Sequence, residues 1–428
     1  MVADFLQQRF DHLAQVNWTR FVDRDLLFVL AVIIGGGLVV MTSSSVAIAE
    51  NRHDNMYFFL NRQLFFLGLG IFLGIIVYQI RMGFWQQLGV KILPIVLLLL
   101  LVVLIPGIGK EVNGSRRWIN LGVFAVQISE MAKLIMILYM SGYMVRHADK
   151  LANGEAYKPL LIPLAVLASV GFLLLLEPDF GTLVVISATS LALLFLSGVR
   201  LKRLLLLLGI IVALMGGLLL IASYRVARLI AFMKPWEHAQ DVGYQTVHAL
   251  MAIGDGGWFG SGLGAGVQKL FYLPEAHNDF IFSVLAEEFG FVGIVIVLFF
   301  YGWLVQRAFV IGFNADKVKL HFNAYVAYGI GFWMGFQVLF HIGVNMALLP
   351  PKGLTLPMMS YGGSSLLITL IAMALLMRIY RETQFSLYGL SSKKSSRSQR
   401  TVSQAAMSKS SSNHRTTRPT ARGKKSYP

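Results

Sequence analysis

The residues of this chain best suited to chemistry are carboxylates and cations placed where apolar runs begin and end. In Tyr272-Leu-Pro-Glu-Ala-His-Asn-Asp-Phe-Ile-Phe282, Asp279 directly precedes a long hydrophobic run, with Glu275 and His277 four and two residues before it. A carboxylate at such a boundary can take a proton from a hydroxyl. Cations gather in two short runs, Gly114-Ser-Arg-Arg-Trp-Ile119 with Arg116 and Arg117, and Leu349-Pro-Pro-Lys-Gly-Leu354 with Lys352. Such groups hold phosphate or pyrophosphate by charge-assisted hydrogen bonds. Gln127-Ile-Ser-Glu-Met-Ala-Lys133 sets Glu130 and Lys133 at i, i+3 inside an apolar run, where they neutralise one another. Ionisable residues within spans face the bundle interior or a water-filled path, so a polar cavity is expected there. Together these residue types suit an anionic, lipid-linked substrate, and by themselves they leave enzyme and transporter both open.

The elements that must position these residues are membrane helices. The chain has 428 residues, of which 56% are hydrophobic and only 14% charged, which excludes a soluble domain. A span needs about 20 mostly apolar residues. Ten such windows occur, at 26–48, 60–79, 88–105, 124–145, 159–176, 182–198, 204–222, 280–306, 322–348 and 358–379. The expected fold is therefore an all-α polytopic bundle of about ten helices, with a short segment 1–25 before it and a long loop 223–279 between spans seven and eight. A polar lead of some 25 residues and a long apolar core make the first window an uncleaved span rather than a signal peptide. The net charge of +16 does not point to nucleic acid, because residues 393–428 hold ten Lys/Arg and no Asp/Glu. The segment 381–428 is read as a disordered basic tail lying against anionic membrane lipid. There is no cysteine, which removes disulfides and thiolate chemistry.

Local patterns fill in the boundaries. Asp179 in Glu177-Pro-Asp-Phe-Gly-Thr182 is read as the cap of the sixth span. Gln337, His341 and Asn345 form one polar stripe at i, i+4, i+8, with His341 a hydrogen-bonded packing residue. Tyr224 to Trp236 reads as an interfacial helix bearing Arg225 and Arg228. The glycines of 254–266 lack the βαβ context of a dinucleotide loop and instead suit close packing against a ligand or a neighbouring span. Glu287 and Glu288 are expected to enter the bilayer within the eighth span.

These runs, with Ala286-Glu-Glu288, Lys352-Gly-Leu-Thr-Leu-Pro357 and Ser360-Tyr-Gly-Gly-Ser-Ser365, resemble the SEDS (shape, elongation, division, sporulation) proteins over about residues 25–380. Lys352-Gly-Leu-Thr-Leu-Pro357 and the pair Pro235-Trp236 are more similar to the cell-division branch than to the elongation branch. The resemblance implies a ten-span peptidoglycan glycosyltransferase that polymerises lipid II, the undecaprenyl-pyrophosphate-linked disaccharide pentapeptide, at the septum in the bacterial cytoplasmic (inner) membrane. It implies work with a class B penicillin-binding transpeptidase (FtsI-like) under divisome regulators (FtsQ/FtsL/FtsB and FtsN-like). The family's essential loop aspartate falls on Asp279, and its cavity residues fall on Arg116 or Arg117, Glu130, Lys133 and Lys352. Glu275 and His277 are carried with Asp279 as substrate-side residues. The chain departs from the family pattern at Asn278, Pro351 and His341, none of them a charged motif residue. Transfer from an α-linked pyrophosphate to a β-1,4 product inverts the anomeric carbon, so one base suffices, with Asp279 in that role. No cofactor is called for with certainty, and a divalent cation (Mg or Mn) is left open. The readings that compete with this one are a lipid II flippase, a non-catalytic scaffold and the elongation-type paralogue.

An N-terminus in the cytoplasm places basic residues in every inner loop, as the positive-inside rule requires. A reporter fused after Lys317 is therefore expected to read cytoplasmic and one inserted near Ala265 external. Both on one side would break the assignment of the spans between them.

Overall fold

The computed structural model describes residues 21–412 apart from 113–114, 121, 123–124, 153–157, 204, 208, 210–216, 218–231, 242 and 351–352. The seventh window at 204–222 falls largely outside these residues, as do Arg225 and Arg228 of the interfacial helix, Pro351 and Lys352. The other nine windows each correspond to a helix. These are α1 (Arg24–His53), α2 (Phe58–Gln79), α3 (Met82–Val103), α4 (Ile128–Arg146), α5 (Lys158–Leu176), α6 (Phe180–Leu196), α8 (Ile281–Lys317), α9 (His321–Asn345) and α10 (Gly363–Ser412), with a shorter α7 (Tyr244–Asp255) between α6 and α8. Among the described residues eight of them are long and apolar enough to cross a membrane, and α6, of 17 residues, is a shorter apolar helix. Helices are the natural outcome for such runs, because a lipid environment offers backbone groups no partner outside the segment. The protein is thus a multi-pass membrane protein.

The chain divides into two compact units, Val22–Tyr380 and Met1–Phe21 with Arg381–Pro428. In the first unit α4 is the central helix, buried on all sides from Ile128 to Met144 except at Met131. The mixture of Leu, Ile and Met with small Ser and Gly on every face of α4 is what a helix enclosed by others requires. Helices α8 and α9 pack along one another, and α1 runs beside α8.

Two contacts between α1 and α8 set a vertical scale. Near the start of α1, Asp23 accepts from Arg307 Nε at 2.8 Å. Further along, Ser43 Oγ donates to Glu288 Oε1 at 2.7 Å. Twenty residues of unbroken helix separate these levels on α1, which at 1.5 Å per residue is about 30 Å, the thickness of a hydrocarbon core. Glu288 therefore lies about one hydrocarbon-core thickness along α1 from Arg307. Between these two levels α8 is two helices joined at a kink, where Gly290 has φ 64° and ψ −162°, a conformation foreign to a helix.

The break is repaired by the glycine-rich loop. Ser261 N–H and Gly262 N–H donate to the freed carbonyls of Glu287 and Glu288, at 2.9 and 3.1 Å. Phe291 N–H and Val292 N–H donate to Gly257 O and Trp258 O, at 2.9 and 3.1 Å. The expected close packing of these glycines is thus against a neighbouring span. A second small core of Ala249, Leu273, Ala276, Phe280 and Val284 holds α7 and the 272–280 segment to the first part of α8.

One further feature departs from the sequence expectation. Between 109 and 127 the described residues form a three-stranded antiparallel sheet, β1 (Gly109–Val112), β2 (Ser115–Asn120) and β3 (Ala125–Gln127), so α4 starts at Ile128, four residues inside the 124–145 window. Pairing of Trp118 with both Lys110 and Gln127 satisfies backbone groups that turns would have left to water. At the other end α10 runs to Ser412. No proline or glycine lies between Leu390 and Ser412 to interrupt the helical hydrogen-bond ladder.

A Cβ on Gly290 would lie 2.4 Å from the backbone nitrogen of Gly260 and would also sit on a left-handed φ. Gly290→Ala is expected to cost about 3 kcal/mol or more. A thermal melt of the purified protein equal to that of the parent would show that the break is not as tightly held as described.

Candidate active site around Asp279

Asp279 is placed by its main chain. Its N–H donates to Glu275 O at 3.1 Å, and its carbonyl accepts from Asn345 Nδ2 at 3.0 Å. Glu275, in a left-handed conformation with φ 55°, turns the chain so that its carbonyl also receives the N–H groups of Asn278 and Phe280. The helix cap of α8 is Phe280, and no side chain caps it, so the Asp279 carboxylate is not spent on the helix. Among the described residues no side chain donates to that carboxylate. Gly353 passes directly over it, where a Cβ would lie 3.2 Å from Asp279 Oδ2. Burial and the nearby Glu275 carboxylate push the Asp279 pKa up to about 7, against the opposing pull of the Arg117 guanidinium.

The polar stripe of α9 is the clamp that holds this arrangement. Gln337 Nε2 donates to Thr355 O at 2.9 Å, and His341 Nδ1 contacts Leu354 O at 2.6 Å. One turn further, Asn345 holds the Asp279 carbonyl while its Oδ1 accepts from Ser283 N–H and Oγ. The i, i+4, i+8 spacing thus grips the 353–355 strap and the approach to α8 from one helix face. On the far side, Ser360 Oγ donates to Asn278 O at 2.7 Å, and Gln63 Nε2 of α2 donates to Ser360 O at 3.2 Å. His277 is buried between Phe59, 4.5 Å away, and Tyr361, 5.7 Å away, and burial lowers its pKa. Its ring is a packing element of this aromatic cluster.

The two arginines part company on β2. Neighbouring residues on a strand point to opposite faces. Arg116 pairs with Glu111 across the hairpin at 3.0 Å, both side chains well exposed. Arg117 turns inward and donates through Nε and Nη2 to the carbonyls of Glu177 and Pro178, with Nη1 4.0 Å from Asp179. It clamps the α5–α6 turn, and its charge reaches both Glu177 and Asp279. Asp179 caps α6 as expected, accepting from Thr182 N–H at 3.3 Å. It also accepts from Ser129 Oγ at 2.7 Å and from Gln127 Nε2 at 3.3 Å. These two partners escaped the sequence reading, because a cap signature says nothing about a helix some 50 residues away.

Glu130 and Lys133 do pair, at 2.9 Å, deep between helices. Lys133 Nζ also donates to Gln337 Oε1 at 2.8 Å and lies 5.2 Å from the centre of the Trp333 ring. Beside Lys133 lies a pocket of about 10 Å³, lined mainly by Met136, Ile137, Val185, Ile186 and Leu193, with Trp333, Thr189 and Ser190. That is room for about one water molecule. The pair is linked to the Asp279 strap through Gln337 rather than opened toward it. Lys269, another residue unmarked in the sequence reading, is buried and bonds both Glu288 and Ser43. Glu287 accepts from the N–H groups of Val267 and Gln268, so the two carboxylates tie the loop back onto α8. Among the described residues no group of three or more His, Asp or Glu is placed to hold a metal ion by itself.

The fold and site define a class: a polytopic membrane protein with an aspartate fixed by its main chain at the start of a long apolar helix, beside an arginine-clamped turn. The chain belongs to the SEDS family, since the family model described as cell cycle protein (FTSW_RODA_SPOVE) matches residues 24–385. It is 47% identical over 369 residues to the probable peptidoglycan glycosyltransferase FtsW of Thioalkalivibrio sulfidiphilus, covering 86% of this chain and 92% of that one. It is 48% identical over 354 residues to the protein of the same description from Legionella pneumophila, covering 83% and 89%. Among solved structures it is similar to a chain of a peptidoglycan synthase complex that coordinates polymerization and crosslinking, with TM-score 0.70 at 29% identity over 85% of this chain and 98% of that one. It is also similar to the rod shape determining protein RodA of Thermus thermophilus, with TM-score 0.60 at 30% identity over 84% and 97%.

Glu177 beside this site gives a test of the electrostatics. It is fully buried with no partner for either carboxylate oxygen, and burial, with the Asp179 charge, raises its pKa from 4.5 to about 8 against the pull of Arg117. The folded protein thus keeps a proton that the unfolded chain releases. Stability from this group is full below about pH 4.5 and is lost as pH rises through about 8. Glu177→Gln, which cannot ionise, is expected to lose less thermal stability than the parent between pH 6 and pH 9. Parallel curves for the two proteins would refute the assignment.

Proposed function

We propose that this chain is a peptidoglycan glycosyltransferase that polymerises lipid II on the outer side of the bacterial cytoplasmic membrane, with Asp279 as general base. The observation that supports the reading is the Asp279 carboxyl, fixed through its main chain, not engaged by any side chain among the described residues, and poised at about pH 7. A base is most effective when its pKa lies near the working pH. The names of the relatives supply the substrate class.

In this reading the 4-hydroxyl of the acceptor GlcNAc attacks the anomeric carbon of the donor MurNAc. The new C1–O4 bond forms as the bond from C1 to the pyrophosphate oxygen breaks, with inversion. The hydroxyl proton passes to Asp279, and undecaprenyl pyrophosphate departs with the electron pair. Arg117, whose charge already reaches Asp279, offsets the negative charge that develops on the leaving group. Lys352 is assigned the same task by family resemblance. Arg116, exposed and paired with Glu111, is placed to meet headgroups or substrate at the rim. Glu275 keeps the Asp279 pKa high, and Glu130 with Lys133 braces the strap through Gln337. The loop 223–279 is taken as extracytoplasmic and both termini as cytoplasmic, with a class B transpeptidase as working partner and divisome regulators acting at the septum.

Asp279→Asn keeps the shape and the main-chain bonds but cannot accept the proton. Purified with its transpeptidase, it is expected to polymerise lipid II about 10²–10⁴ times more slowly. In the parent, the ionised form is the active one, so the rate should fall about tenfold per pH unit below an apparent pKa near 7. A near-parental rate for the variant, or a flat profile from pH 5.5 to 8, would remove Asp279 from the role of base. Movement of lipid II across liposomes without polymer would favour a flippase instead.

A further inference from the structure

From Gly256 to Tyr272 the loop exposes Trp258, Phe259, Leu263, Val267, Leu270 and Phe271, with Phe259 82% accessible. The one charged residue of that stretch, Lys269, is turned inward to Glu288. An uncharged aromatic surface of this kind on a protein monomer marks contact with something other than water. Its level follows from the α1–α8 contacts. Ser261 and Gly262 bond the carbonyls of Glu287 and Glu288, and Glu288 meets Ser43 about 30 Å along α1 from Asp23 and Arg307, one hydrocarbon-core thickness. Its surface is also continuous with a lipid-facing one. Trp258 packs edge-on against Phe291, 5.3 Å between centroids, and Phe291 begins the exposed row Phe291, Val295, Phe299 down the crossing part of α8.

We propose that the 256–263 segment is a membrane wedge whose Trp258 and Phe259 side chains occupy the lipid interface on the Asp279 side of the bilayer. Aromatic side chains favour that layer. The exposed backbone of such a segment is tolerated there because the break in α8 supplies its partners. The wedge is joined to both halves of α8 by four backbone hydrogen bonds, and Glu287 and Glu288 hold the following residues 267–269. The height of Asp279 above the lipid is thereby tied to the depth of the wedge. A protein partner would also cover aromatic surface, but the uninterrupted passage from Trp258 onto the lipid-facing row of α8 favours lipid.

The chain has no cysteine, so Phe259→Cys accepts a single nitrobenzoxadiazole label, and Asn55→Cys, in the turn beyond the end of α1, serves as the aqueous control. Each full-length variant is placed in phosphatidylcholine/phosphatidylglycerol liposomes without any partner protein. The label at 259 is expected to emit at shorter wavelength than the label at 55. It should also be quenched several-fold more by lipid carrying a nitroxide near the headgroup than by aqueous iodide, with the order reversed at 55. If iodide quenches both positions alike, the loop stands in water and the proposal fails; if neither quencher reaches 259, another protein surface, such as a second copy, covers it, and the proposal also fails. Should Phe259→Cys not fold, Leu263→Cys is read by the same criteria. None of these readings depends on catalysis, so they stand or fall separately from the role of Asp279.

Discussion

The structure depends on one exchange of backbone hydrogen bonds, the repair of α8 at Gly290. A helix broken at a membrane boundary exposes carbonyls on one side of the break and N–H groups on the other, and each must find a partner. The loop of 256–262 supplies donors for the first and acceptors for the second. This is feasible only because no side chain intervenes at Gly256, Gly260 and Gly290, where a Cβ would fall within 2.0 to 2.4 Å of opposing backbone. Everything from Ser261 to Phe289 is consequently a closed excursion, tied at its base by Glu287, Glu288 and Lys269, with Asp279 near its end. The site inherits its rigidity from this closure.

Around Asp279 nearly all hydrogen bonding goes to main chain. Asn345, His341, Gln337 and Ser360 each engage a carbonyl of the strap or of the 278–279 turn. Such an arrangement fixes position without consuming the functional group, which is what a base needs in order to remain available to a substrate. The contrast with Asp179 is informative. That carboxylate lies across the turn and is taken up by Ser129, Thr182 and Gln127, with Arg117 nearby, so its charge is committed to structure. Two aspartates on the same side of the protein thus differ in availability rather than in type. Glu177, buried without partners, is kept protonated at neutral pH and leaves Arg117 with less competing negative charge.

Much of the fold and part of the site were legible from the amino-acid order because they are consequences of local physics. Nine of the ten windows coincide with helices among the described residues, eight of them long and apolar enough to cross, since the bilayer demands a continuous apolar run of fixed length. The cap at Asp179, the i, i+3 pair of Glu130 and Lys133, and the stripe of Gln337, His341 and Asn345 are all set by helical periodicity, and each is found as read. The unusual position of Asp279, at the end of a polar loop and the start of a helix, was likewise visible from composition.

What tertiary structure decided are relations between segments distant in sequence. Strand alternation says that Arg116 and Arg117 diverge, but only the packing of β2 near the α5–α6 turn selects Arg117 as the inward one. The break beside Glu287 and Glu288 was not legible because hydropathy does not register a single glycine, whose conformation is stabilised by a loop some 30 residues earlier. The further partners of Lys133, Trp333 and Gln337, come from some 200 residues away. The approach of Gly353 to the Asp279 carboxylate depends on a strap gripped by α9. Periodicity and propensity act over a turn or two of chain; which faces meet is set by packing all the spans at once, and that information is in no single stretch of the sequence.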